Sequence, residues 1–274
     1  MKTAIINGKI ITPHRILDQA SLVMEDGVIA GIVRGRKPEA DCCIDAEGAY
    51  VSPGFIDIHT HGGGGHDLMD GTPDAIIKAC MAHLAHGTTS ICPTTLTCTD
   101  EELLTFFDCY REARKQMENG PELLGIHMEG PYFSLEQRGA QDPQYIKVPA
   151  RDDYKKLLDA SDDIIRMSAA PELEGAMELA DELKARGILA SIGHSDATYD
   201  HVIEAWERGY THVTHLYSGM STIRRINAYR HLGVIESAYL IDGMTVEIIA
   251  DGKHLPPELL RFIVKMKPIE DICL

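Results

Sequence analysis

The stretch Pro53-Gly54-Phe55-Ile56-Asp57-Ile58-His59-Thr60-His61-Gly62-Gly63-Gly64-Gly65-His66 decides the fold. An apolar run ends in two histidines one residue apart, and glycines follow. In a strand, residues two apart point the same way. His59 and His61 then present both imidazoles to one face, at the strand's C-terminal end. The glycines let the backbone turn sharply and approach a ligand closely. Histidine is the commonest metal ligand, so the stretch reads as the start of a metal site at the mouth of a barrel. The plainer alternative is a buried strand with two incidental histidines and a loop.

Working outward, the chain has two textures. Residues 1–53 read as short strands and turns, a small β module too short for a stable sandwich by itself. Runs 3–6 and 9–12 flank Asn7-Gly8, a two-residue hairpin signal. Runs 21–24 and 28–33 flank Glu25-Asp26-Gly27, a second hairpin. Runs 42–44 and 49–52 are brief extended pieces around Glu47-Gly48.

After Pro53-Gly54, apolar runs alternate with helical patterns, as in βα units on a parallel sheet. Strands are expected at 55–59, 89–93, 123–127, 164–169, 188–193, 212–215, 246–250 and 271–274. A helix over 72–85 opens on Thr72-Pro73-Asp74, an N-cap with proline in the first turn. One over 99–116 opens close to a capping box. Others span 173–186 before Gly187, 199–208 before Gly209, and 256–265 before Pro268. The pattern predicts an α/β fold: a (β/α)8 TIM-like barrel over 54–274, with the eighth strand at 271–274. A doubly wound open sheet is the alternative, but no G-x-G-x-x-G follows a strand.

Bulk composition narrows the partners. In 274 residues, 26 Lys plus Arg stand against 42 Asp plus Glu, for a net charge of −16. Nucleic acid and anionic membranes reward a basic face, so neither is expected as a partner. The 7 cysteines include adjacent Cys42 and Cys43 and no C-x-x-C. They argue for reduced thiols, read as core fillers, in a cytoplasmic setting. No apolar run is long enough to span a membrane, and the N-terminus does not read as a signal peptide.

Chemistry in barrels sits at the C-terminal ends of strands. The first expected strand ends in His59 and His61. The third ends in His127-Met128-Glu129, the fifth in Gly193-His194, the sixth in Thr214-His215. These nitrogen and oxygen donors suit one or two divalent ions such as zinc, iron or manganese, with Glu129 the natural bridge. A bound ion lowers the pKa of water and polarises a carbonyl, which implies hydrolysis. His127 alternates with Glu129 and reads equally as a neighbour that orients a ligand. His83 and His86, on a helix, and His14 and His201 read as packing or surface residues. His66 touches substrate or is simply loop.

The motifs P-G-F-I-D-I-H-T-H-G, H-G-T-T-S, G-I-H-M-E-G-P, A-A-P-E, G-H-S-D-A, T-H-L-Y and I-A-D-G-K-H, in this order, closely resemble the N-acetylglucosamine-6-phosphate deacetylases of the amidohydrolase superfamily. The resemblance covers essentially the whole chain. It implies a metal-dependent barrel with a small β-sandwich, and removal of acetate from N-acetylglucosamine 6-phosphate. It assigns Glu129, His194 and His215 as main metal ligands, and His59 and His61 as the pair that holds a second ion. Arg230 and His254 match positions that recognise the sugar phosphate. The arginine comes from a neighbouring subunit in relatives, which implies a homodimer. Gln141 matches a position near the substrate.

Two departures stand out. Where the family has Asn-Ala, whose backbone binds phosphate, this sequence has Ser218-Gly219. The loop that follows carries Arg224, Arg225 and Arg230, so three arginines compete for the phosphate. The resemblance further implies a general acid/base aspartate after the eighth strand. Leu274 precedes it, so the chain is expected to be a piece of a longer protein. Two other readings stand beside this one: a non-catalytic metal-binding fragment, and an amidohydrolase for another N-acyl substrate. Enzymes of the latter kind commonly bridge their metals with a carboxylated lysine, where this chain has Glu129.

Overall fold

The computed structural model describes all residues from Met1 to Leu274. The chain divides into two compact units, Met1–Phe55 and Ile56–Leu274.

The first unit is one five-stranded sheet: β1 (Lys2–Ile11), β2 (Ile16–Glu25), β3 (Val28–Arg34), β4 (Cys42–Asp45) and β5 (Tyr50–Val51). Their order is β3-β2-β1-β4, with β5 also on β1. The second hairpin forms as expected, with Glu25 opposite Val28. Its turn residues Asp26 and Gly27 sit at φ 49 and 82, the left-handed pair that a two-residue hairpin requires.

The hairpin expected at Asn7-Gly8 does not form. β1 runs straight through it and pairs with β2 on both sides of a register shift between Ile5 and Gly8. Asn7 has φ 59, but a single left-handed residue makes a bulge, whereas the turn needs two. The long partner strand outweighs the local signal. Cys42 and Cys43 are exposed on β4, against the expectation of core packing. Cys80, Cys92, Cys98 and Cys109 are buried, as expected.

The second unit opens with β6 (Phe55–Thr60) and the short pair β7 (Gly62–Gly63) and β8 (His66–Asp67). Then follow α1 (Pro73–Leu84), β9 (Thr88–Pro93), α2 (Asp100–Gln116), β10 (Glu122–Leu123) and β11 (Ile126–Glu129). Next come α3 (Arg151–Asp159), β12 (Ile164–Ala169), α4 (Ala176–Arg186), β13 (Leu189–Ile192), α5 (Tyr199–Arg208) and β14 (Tyr210–Val213). The antiparallel hairpin β15 (Arg224–Ile226) and β16 (Tyr229–His231) precedes α6 (Val234–Leu240), β17 (Thr245–Glu247), α7 (Pro257–Met266) and β18 (Ile272–Cys273).

Strand order is sequential: β10-β9-β6 in one sheet and β11-β12-β13-β14-β17-β18 in the other. A parallel bridge between Thr94 and His127 links the two sheets. The order never reverses, so the doubly wound alternative fails. Residues 122–129 contribute to both sheets, and β6 and β18 stand at the two ends of the array.

Local chemistry explains the helices. The Thr72 hydroxyl accepts from Ala75 N at 3.3 Å and starts α1. Thr99 and Glu102 form a full capping box on α2. The inner face of α2 buries Leu103, Phe106, Phe107 and Tyr110 against the core. Burial of each such side chain contributes about 1.5–3 kcal/mol before chain entropy is charged against it. No helix is long and apolar enough to cross a membrane.

Candidate metal centre

Glu129 is the hub. It ends β11, whose four residues are all buried. Four imidazoles converge on its carboxylate. His215 Nε2 lies 3.1 Å from Oε1, His59 Nε2 3.4 Å and His194 Nε2 3.5 Å. His61 Nε2 lies 3.3 Å from Oε2. His59 and His61 share one face of β6 and its end, as the alternation requires, with their Nε2 atoms 3.4 Å apart. Thr60, between them, turns away and is buried, with its amide on Thr94 Oγ1. All five donors belong to the second unit.

Most of these spacings are too long for good N–H···O bonds. They match ligands around an ion: two atoms each about 2.1 Å from a tetrahedral metal lie about 3.4 Å apart. In each of two groups, His59-His61-Glu129 and Glu129-His194-His215, the donor atoms all lie within 4.8 Å of one another, and the groups share the carboxylate. The donors are hard to borderline, and no thiol joins them, so the residues present fit divalent ions such as zinc, iron or manganese.

His194 and His215 stand two residues past their strands, at φ 48 and 33. Left-handed backbone at a non-glycine residue costs about 1–3 kcal/mol and persists only where its surroundings impose it. Here the ties are explicit. Ser134 N donates to His194 O at 2.9 Å and Ser218 N to His215 O at 2.9 Å. His194 Nδ1 meets Gln137 O at 2.9 Å. These bonds aim the two rings at Glu129.

Electrostatics follow from burial. Burial opposes the charge on Glu129, but the surrounding histidines, His59 foremost, outweigh it and hold the carboxyl well below its usual range. Burial also opposes a cationic His59, yet Glu247 and Glu129 on either side raise its pKa to about 10. His127, fully buried, is pushed well below its ordinary value by burial and by the nearby Arg166 and His59. It donates to or accepts from Ser168 Oγ at 2.7 Å, and its ring packs edge-on 4.6 Å from that of His59.

The other expected residues fall in different places. Gln141 Nε2 donates to Glu129 Oε2 at 2.9 Å, and its Oε1 accepts from Thr97 N at 2.9 Å. It therefore braces the hub itself. The Ser218 amide is already committed to His215 O. Gly219, at φ +56, lies so close to His194 that a Cβ would stand 2.9 Å from Nδ1. His254 is half-exposed and pairs with Asp251 at 2.9 Å. Arg224 is tied to Asp196 by an ion pair. Arg225 and Arg230 stand opposite each other on the β15–β16 hairpin, both exposed.

Sequence reasoning missed Glu247 and Arg166. Both are buried, and Arg166 Nη1 donates to Glu247 Oε2 at 2.7 Å. Glu247 Oε1 reaches His59 Nδ1 at 2.6 Å. Charged residues at inward positions of otherwise apolar strands were the available signal.

Donors of this kind at the C-terminal ends of sequential parallel strands define a class: α/β proteins built to hold divalent ions above the sheet. Residues 50–273 match the Amidohydrolase family. The N-acetylglucosamine-6-phosphate deacetylase of Haemophilus influenzae is 33% identical over 271 residues, covering 97% of this chain and 69% of that protein. An N-acetylgalactosamine-6-phosphate deacetylase of Escherichia coli O157:H7 is 31% identical, covering 91% of this chain and 64% of its own length. The crystal structure of N-acetylglucosamine-6-phosphate deacetylase from Pasteurella multocida superposes with a TM-score of 0.90 at 31% identity, covering 100% of this chain and 70% of that one. The chain belongs to the amidohydrolase family, in its N-acetylglucosamine-6-phosphate deacetylase branch. It spans 64% to 69% of the lengths of these two curated relatives.

Proposed function

We propose that the chain supplies the metal-holding part of a deacetylase that removes acetate from N-acetylglucosamine 6-phosphate, leaving glucosamine 6-phosphate. The observation that carries this reading is the convergence of four imidazole nitrogens on the single buried carboxylate of Glu129, in a chain of that branch.

His59, His61 and Glu129 would hold one ion, and Glu129, His194 and His215 the other. When bound, a divalent ion there supplies a nucleophilic water at neutral pH and polarises the acetamide carbonyl. The chain's own groups do the rest. Gln141 fixes the bridging carboxylate through Oε2. His254 and Arg230 bind the phosphate, joined by the Gly219 amide. Arg224 is already engaged by Asp196, which favours Arg230 over it. Arg230 would serve the site of a neighbouring copy, making the functional unit a cytoplasmic homodimer.

The test is acetate release from N-acetylglucosamine 6-phosphate, with zinc, iron or manganese added to chelator-treated protein. Turnover that depends on the added metal is expected. Release of acetate from N-acetylgalactosamine 6-phosphate or other N-acyl substrates, with none from this one, would overturn the substrate. Metal uptake with no turnover on any of them would leave the chain a metal-binding module only.

A further inference from the structure

The strongest unassigned feature is the carboxylate of Glu247, at the end of β17. Its two oxygens divide their partners cleanly. Oε1 meets His59 Nδ1 at 2.6 Å and accepts the His215 backbone amide at 2.9 Å. Oε2 accepts from Arg166 Nη1 at 2.7 Å. Arg166 is in turn fixed by donating from Nη2 to Thr214 Oγ1 at 2.8 Å. Glu247 and Arg166 are each only 4% exposed, so neither partner is exchanged for water.

One oxygen atom thus touches a member of each donor group: the ring of His59 and the backbone of His215. An imidazole that donates from Nδ1 to a carboxylate keeps its lone pair on Nε2. His59 Nε2 is the atom that faces Glu129. The amide bond to His215 holds the residue whose backbone is left-handed, and whose ring lies nearest the hub.

We propose that Glu247, anchored by Arg166, is the positioning residue of the metal centre: it sets the His59 tautomer and the His215 backbone together, and so couples the two ion positions. This rests on the reading of the cluster as a metal centre, and it does not depend on the substrate. Glu247 touches no substrate and acts only through the two histidines.

Metal-free full chain is titrated with cobalt(II), reading the visible d–d band for geometry and a competing chelator for affinity. Glu247→Gln keeps the size but loses the charge. Glu247→Asp keeps the charge that Arg166 needs but is one methylene too short to reach His59. Both are expected to weaken cobalt binding about 10- to 100-fold and to alter the band. The Asp variant should keep a thermal midpoint near that of the parent, which separates positioning from loss of fold. If both variants bind within twofold of the parent and show its band, the residue is a structural plug and the proposal falls. A parent that binds no cobalt overturns the metal centre and this inference together. A parent that binds cobalt but releases no acetate overturns the proposed reaction alone, and the variant affinities still decide the role of Glu247.

Discussion

A single atom decides much at Gly219. The bond between His194 Nδ1 and Gln137 O is 2.9 Å long. A Cβ on Gly219 would stand 2.9 Å from each of those two atoms, at a backbone φ of +56. Gly219→Ala is expected to cost about 1–3 kcal/mol, through strain and through displacement of His194. It should also weaken metal binding. Gly65→Ala is the control: Gly65 has φ +84 but nothing within 4 Å of the added methyl, so it reports the backbone part alone. Urea unfolding and metal titration of both variants check this. Equal costs with unchanged metal affinity would show that the contact with His194 does not matter.

At the level of elements, α6 ends on a borrowed cap. The carbonyl of Ala238 lies in its last turn, where no helical amide follows. Lys267 Nζ, from just beyond α7, donates to it at 2.9 Å. The lysine is only 5% exposed. Burial lowers its pKa in spite of Asp271 and Asp242 nearby. Lys267→Met keeps the packing and strands the carbonyl. The expected loss is about 1 kcal/mol, since the unpaired acceptor outweighs the relief of a buried amine. A higher denaturation midpoint in the variant would refute the cap. The same scale shows what the sequence made legible. The expected βα strands formed, the third as the two pieces β10 and β11, because apolar runs between capped helices are local signals. Glu129, His194 and His215 were singled out because metal-capable side chains fell at strand ends, and the structure brings the three together. Asn7-Gly8 misled, because a long partner strand overrode a two-residue turn. Short α3 was missed: it has no side-chain cap and buries only Tyr154, Leu157 and Leu158. Glu247 escaped because its pairing with His59 spans 188 positions: a charge at an inward strand position marks the residue but does not name its partner.

For the molecule as a whole, the interior beneath the strand ends is a balanced charge set. Glu247 pairs with the Arg166 guanidinium, and Glu247 and Glu129 flank His59, cationic without metal. His59 has its pKa raised from 6.5 to about 10 in the folded chain, the two carboxylates overcoming the opposing effect of burial. Its contribution to stability is therefore complete below about pH 6.5 and is lost as the pH rises through about 10. Glu129 and Glu247 lie below their ordinary 4.5, so their contributions hold above that pH and fade on acidification. From these three groups, the metal-free chain is most stable between about pH 4.5 and 6.5 and weakens toward alkaline pH. A bound ion needs the imidazole deprotonated, so it replaces the proton and removes that alkaline decline. It also adds about 2.7 kcal/mol at a free concentration one hundred times its dissociation constant. Because proton and metal compete for His59, the gain from metal should grow with pH. Calorimetry of metal-loaded and chelated protein is expected to show the gap in melting temperature widening from about pH 6 to 9. A gap that stays constant or narrows would mean that His59 is not the group the ion displaces.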